Sequence, residues 1–236
     1  MDTRLHQTGE TAPVANSVAY RNVRHNVTRM LTEHSPAEDH VVPACPLWTI
    51  CDLLAHLAGT AALAIGRLSG SVPARRTPAG ANDIVSLLGE WDWMGPEVER
   101  LLSDRAGNLL VMDSFTHELD LRYALGVPLP TAHPAFARAL EMLVAGFSAS
   151  VSAHGLPALQ LVVDGTRWTV GVGMPVGVLT ASGYDVYRSL AGRRSHEQIT
   201  RLGWSRDSHR WLPAFTWGPF TPPEDPVEPA GGQPGR

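Results

Sequence analysis

Apolar positions recur at three- and four-residue spacing through roughly the first half of the chain, and then the rhythm changes. Val18, Val23, Val27, Met30 and Leu31 form one stripe and predict a helix from Val14 to about Glu33. Pro43 and Pro46 then mark a loop. A second stripe follows in Leu53, Leu54, Leu57, Ala58, Ala61, Leu63, Ala64 and Leu68. Thr49, with Asp52 three residues on, reads as its N-cap in a capping box that has Asp in place of Glu. The Pro- and Gly-bearing run 70–80 ends this helix. A third helix is expected over Asp83–Ser103, with a break near Gly95-Pro96. A fourth runs from about Gly107 to Leu125 and stops at Gly126, with Pro128 beyond. Four helices with mostly short connections predict an antiparallel four-helix bundle.

The later pattern is mixed. Phe136–Ala153 continues the helical spacing. Gln160–Val163 and Arg167–Val170 read as strands around Asp164-Gly165, a strong hairpin signal. Tyr184–Ala191 reads as a helix closed by Gly192, and a shorter one follows from Ser195. The expected fold class is therefore α+β, with a bundle over 14–130 and a small α+β C-terminal domain over 131–217. Residues 1–13 and the tail 218–236, rich in proline, are expected to be disordered.

Composition narrows the functional classes. The 236 residues are 44% hydrophobic, enough for a core without disulfides. A net charge of −4 with interspersed signs leaves no basic footprint, so no nucleic-acid partner is expected. All 19 basic residues are arginine. The absence of lysine rules out a Schiff-base lysine, ordinary PLP catalysis and a P-loop. Cys45 and Cys51 fit no C-x-x-C pattern and read as free thiols. Met1–Ala12 has no apolar signal-peptide core, and no stretch reads as long enough to cross a bilayer. A soluble cytoplasmic protein with a small-molecule substrate and no membrane partner is expected.

The chemistry sits on two helices. His56 lies in the second, and Asp113 and His117, four apart, share a face of the fourth. Two imidazoles and a carboxylate suit Zn²⁺ or another divalent ion with an open coordination position. Asp120 continues the same face one turn on. Burying these polar groups together costs several kcal/mol unless they find partners, which a metal would supply. The His117-Glu118 pair is not a zincin motif, because position 121 is Leu121. Gly171–Gly177 lacks dinucleotide-loop spacing, and no G-x-S-x-G elbow is present. One arginine of Gly192-Arg193-Arg194, beside a helix end, could hold a substrate carboxylate through two hydrogen bonds. Trp48 reads as packing at the helix start, and His25 is a further candidate ligand or substrate contact. Cys51 lies roughly 140° round the helix from His56, from about 100° per residue.

The segment from Val42 to Leu57 (VPACPLWTICDLLAHL) resembles the start of the mycothiol-dependent maleylpyruvate isomerase N-terminal domain, which is related to DinB-like metal-binding bundles. Leu47 stands where that family usually has glycine. His117–Gly126 resembles a second motif of the family, and Ala181–Trp204, with Leu190-Ala191-Gly192-Arg193, resembles its small C-terminal domain. The resemblance implies metal ligation by His56, Asp113 and His117, with Asp113 in place of the commoner glutamate, and substrate handling by Arg193. It implies a divalent metal, Zn²⁺ by its donor set, and mycothiol as thiol cosubstrate of an isomerase or transferase. Metal-assisted hydrolysis or lyase chemistry on a small secondary metabolite, or a non-catalytic metal-binding module, are the alternatives.

Overall fold

The computed structural model describes residues 14–71, 73–74, 82–103 and 107–229. Residues 1–13 and 230–236, expected to be disordered, lie outside the described residues. The chain divides into two compact units at 139/140; the expected boundary lay at 130/131.

The first unit holds helices α1 (Asn16–His34), α2 (Ile50–Ser69), α3 (Ile84–Leu101) and α4 (Asn108–Ala124). Among the described residues, α1 packs on α3 and α4, and α2 packs on the same two. The order around the bundle is therefore α1–α3–α2–α4. Tyr20, Val23 and Val27 of α1, Leu53, Leu57 and Ala61 of α2, Trp91 and Val98 of α3, and Val111, Phe115 and Leu119 of α4 make its buried core. The Trp91 indole donates to the Tyr20 hydroxyl at 2.7 Å, so the largest core side chain leaves no orphaned donor.

The start of α2 forms as the sequence predicts. The Thr49 hydroxyl accepts from the Asp52 amide, while Asp52 Oδ2 accepts from the Thr49 amide at 2.9 Å. Gly70, at φ 77°, closes the helix in the left-handed conformation that a side chain resists. The expected break in α3 does not occur, and Pro96 lies inside a continuous helix. Arg24 of α1 lies across Gly95 and donates to Asp92 at 2.5 Å and to Glu99 at 2.8 Å. A Cβ at Gly95 would strike that guanidinium. This clamp ties α3 to α1 on both sides of the proline.

The second unit continues α5 (Phe136–Ala153) into a four-stranded sheet. Its strands are β1 (Leu159–Val163), β2 (Thr166–Val170), β3 (Gly177–Ala181) and β4 (Gly203–Trp204), in the order β2-β1-β3-β4. The expected hairpin is present, and Asp164 and Gly165 both take positive φ, as a type I′ turn requires. The sequence pattern missed β3 and β4. β3 runs parallel to β1 and β4 antiparallel to β3. Val170 and Gly177 are both register partners of Leu159, so residues 171–176 need only pass the end of β1. Leu159, Leu161, Val163, Trp168, Val170 and Leu179 form the buried positions of the sheet. Helices α6 (Gly183–Leu190) and α7 (His196–Thr200) follow β3, with Gly192 in the left-handed turn between them.

Two expectations are corrected. Residues 218–229 are ordered: Glu228 is fully buried, accepts from Arg188, and takes Nη1 of Arg194 at 2.6 Å. Its backbone carbonyl accepts from Gln198 at 2.7 Å. A buried charge held by two arginines outweighs the loop-forming prolines around it. The second correction concerns length. α2 and α5 are both long and apolar enough to cross a membrane. Each buries an apolar face in the fold, through Leu53, Leu54 and Leu57 in α2 and Leu143, Val144 and Phe147 in α5.

Replacing Thr49 with alanine is expected to destabilise the bundle by about 1 kcal/mol. Hydrogen bonds from the Thr49 amide and hydroxyl hold the Asp52 carboxyl below its usual range. A depressed folded pKa stabilises above the unfolded value and loses that contribution as pH falls through the folded one. Denaturant titrations of the wild type and Thr49→Ala should thus differ most at neutral pH, and the part of the difference carried by the Thr49 hydroxyl on the Asp52 carboxylate should fade as pH falls from about 3.9 through the lower folded value. A difference that stays constant down to about pH 2 would exclude the Asp52 carboxylate as a contributor and leave only the bond from the Asp52 amide to the Thr49 hydroxyl.

Candidate metal centre

α4 carries the candidate centre, and it is buried on nearly every side from Leu110 to Arg122. An all-round buried helix normally carries apolar residues, yet this one carries His117, Glu118, Asp120 and Arg122. Buried charges demand partners, and two separate networks supply them. On one side, Glu118 accepts from Arg122 at 2.7 and 2.9 Å and from Asn26 of α1 at 3.1 Å. His133 Nε2 stands 3.0 Å from Glu118 Oε2, its Nδ1 accepts from the Ala135 amide, and its ring stacks on Phe115.

The other network faces His56. Asp113 Oδ2 lies 3.1 Å from His56 Nε2, and Asp113 Oδ1 lies 3.7 Å from His117 Nε2. Ligand atoms of all three residues fall within 4.8 Å of one another. Four ligands in a tetrahedron with bonds of about 2.0–2.2 Å stand about 3.3–3.6 Å apart. The observed separations bracket that spacing, so the donor set fits a divalent cation. Asp113 reaches both imidazoles although its side chain is one methylene shorter than glutamate. His56 and Asp113 are 30% and 32% exposed, against 7% for His117, so the cluster opens on the His56 side. That opening leaves room for a further ligand.

Asp120 occupies a different position. It is fully buried, and its Oδ2 lies 3.0 Å from His117 Nδ1. A carboxylate only accepts, so Nδ1 carries the proton and Nε2 presents its lone pair towards Asp113 and His56. The fold thereby selects the tautomer that can ligate.

Of the residues singled out in the sequence, His56, Asp113, His117 and Asp120 therefore come together. Arg193 belongs to the 140–229 unit, where it is half-buried and donates from Nη1 to the Ala191 carbonyl at 2.7 Å. His25 is exposed on α1 and takes no place in the cluster. Sequence reasoning missed Cys45, whose Sγ lies 3.7 Å from Asp120 Oδ2. It also placed Trp48 only as packing, whereas its ring lies 5.0 Å from that of His56 and 5.6 Å from that of His117. Both come from the loop before α2. Backbone hydrogen bonds from Cys45 to Val42, Trp48 to Cys45, Val42 to Trp48 and Ile50 to His40 knit that loop. The prolines signalled a loop; nothing local signalled its direction.

Comparison with known proteins supports the architecture. No family model and no curated protein matches the chain by sequence. The fold matches the crystal structure of the mycothiol-dependent maleylpyruvate isomerase with a TM-score of 0.55 at 17% identity, covering 82% of this chain and 92% of that one. The chain thus has the fold of that enzyme, a helical bundle followed by a small mixed sheet with short helices.

Losing a carboxylate that orients a ligating histidine typically costs about 10–100-fold in metal affinity. Asp120→Asn is expected to weaken divalent-cation binding by that factor, measured by competition with a chromophoric chelator. Unchanged affinity in a folded variant would make Asp120 purely structural.

Proposed function

We propose that this chain is a divalent-cation-dependent enzyme that uses a thiol cosubstrate of the mycothiol type to isomerise, or transfer a group to, a small electrophilic metabolite. The observation that carries this reading is the convergence of His56 Nε2, the Asp113 carboxylate and His117 Nε2 on a partly open face of the bundle. The shared fold adds the chemistry named for the matched enzyme.

In this reading His56, Asp113 and His117 hold the cation, with Zn²⁺ the best fit to two imidazoles and one carboxylate. A cation held there supplies Lewis acidity, which lowers the pKa of a bound thiol or water. Asp120 keeps His117 in the ligating tautomer. Trp48 covers the two imidazoles on their apolar side and limits water there. Neither cysteine of the chain is the nucleophile, since the sulfur that adds to the electrophilic carbon comes from the cosubstrate.

Turnover of a panel of small unsaturated keto acids is expected to require both an added thiol and a divalent cation. His56→Ala should lose cation uptake and turnover together. Cation-dependent turnover that ignores added thiol would replace this reading with metal-assisted hydrolysis. A His56→Ala protein with full activity would end both.

A further inference from the structure

His117 uses both ring nitrogens, and each faces a different cluster. Nε2 faces Asp113 and His56. Nδ1 faces Asp120 and, through it, Cys45. The second trio also meets the geometry of a cation site: ligand atoms of Cys45, His117 and Asp120 lie within 4.8 Å of one another. Its separations are 3.0 Å from Nδ1 to Oδ2 and 3.7 Å from Sγ to Oδ2. The S–O separation is close to that expected between ligand atoms on one ion with a bond to sulfur of about 2.3 Å, while the N–O pair is drawn closer by its hydrogen bond and would open by a few tenths of an ångström around an ion. The donor chemistry differs from that of the first trio. A thiolate replaces one imidazole, and soft sulfur favours thiophilic ions. Access is not closed, because Cys45 is only half-buried in its loop.

We propose that Cys45, Asp120 and the Nδ1 edge of His117 form a second cation position, selective for thiophilic ions such as Cd²⁺ or Cu⁺, and that filling it empties the first. The exclusion follows from proton bookkeeping on one ring. A cation at Nδ1 needs that lone pair, so the proton now shared with Asp120 leaves Nδ1. A neutral imidazole keeps one N–H, and the proton moves to Nε2. Nε2 then has no lone pair for the His56 and Asp113 position. The Cys45 thiol loses its proton to solvent, so one proton is released for each cation bound. Asp120 changes role, from acceptor of the His117 N–H to ligand. The ring is the shared element, and while neutral it serves one cation at a time; serving both would require loss of its last N–H proton as a bridging imidazolate.

The exclusion rests on the proposed first position, whereas the thiolate position stands on Cys45 alone; the two are separated as follows. Untagged full-length protein, kept reduced without a chelating reductant, is loaded with Co²⁺ and titrated with Cd²⁺. Co²⁺ bound through nitrogen and oxygen gives visible bands without a sulfur charge-transfer band. Cd²⁺ on a thiolate gives a near-ultraviolet charge-transfer band. The expected result is a cadmium–thiolate band that rises as the cobalt spectrum disappears. Cys45→Ala should lose that band and need at least about tenfold more Cd²⁺ to displace cobalt, by the ordinary tenfold-per-1.4 kcal/mol relation. His56→Ala should lose the cobalt spectrum and retain the cadmium band. A band that survives Cys45→Ala, or no band in wild type, overturns the second position. A band that rises while the cobalt spectrum stays overturns the exclusion. Cys45-dependent cadmium binding in a wild type that takes up no cobalt would sink the first position while supporting the second.

Discussion

The burial of α4 is the constraint on which the candidate centre depends. A helix enclosed on nearly all sides cannot turn its charged residues to water. Its ionisable groups must therefore be neutralised within the bundle, and each carries a partner fixed in distance and direction. Glu118 ties α4 to α1 through Asn26 and to the following loop through His133. Arg122 closes that loop further by donating to the Pro128 carbonyl at 2.8 Å. These contacts fix the rotation of α4 about its axis. With that rotation set, Asp113 and His117 face α2, and Asp120 reaches the far nitrogen of His117. Such networks contribute little net stability but penalise other arrangements heavily, because any slip leaves a charge unpaired.

His56 needs an equally definite position on the opposing helix. One residue of register error would swing it about 100° around the axis. The capping box at Thr49 and Asp52 defines where α2 begins, and His56 follows less than two turns later. The same loop that ends at this cap carries Trp48 and Cys45 to the two sides of His117. Helix start, aromatic cover and thiol are thus consequences of one short knitted segment. The functional side chains at its two ends are set by backbone hydrogen bonds rather than by packing alone.

The parts of this molecule legible in the sequence are those written locally. Helix ends were visible because caps act within four residues: Thr49 with Asp52, and Gly70, Gly126 and Gly192 in left-handed turns. The Asp113–His117–Asp120 face was visible because helical periodicity relates residues three and four apart. What escaped depends on distant partners. β3 is a strand because β1 lies beside it, and its Gly-Val-Leu-Thr-Ala run carries little strand signal alone. Pro96 reads as a break until Arg24, on another helix, is seen to hold both sides of it. The proline-rich segment after Gly218 reads as disordered until Glu228 meets Arg188 and Arg194, more than thirty residues away.

Cys45 shows the same limit at the site itself. Its sequence neighbours, alanine and proline, offer no base and no metal partner, so the local reading set it aside. Its partner is Asp120, 75 residues on, and the contact exists only because the loop before α2 folds back over α4. The consequence is chemical as well as structural. A single buried carboxylate oxygen lies within reach of both a thiol and an imidazole N–H, so neither donor can change its state without the other responding. His117 is the junction: whatever alters its Nδ1 side alters the lone pair offered on its Nε2 side. The fold therefore links the Cys45 thiol to the candidate cation-binding edge through one aspartate and one ring.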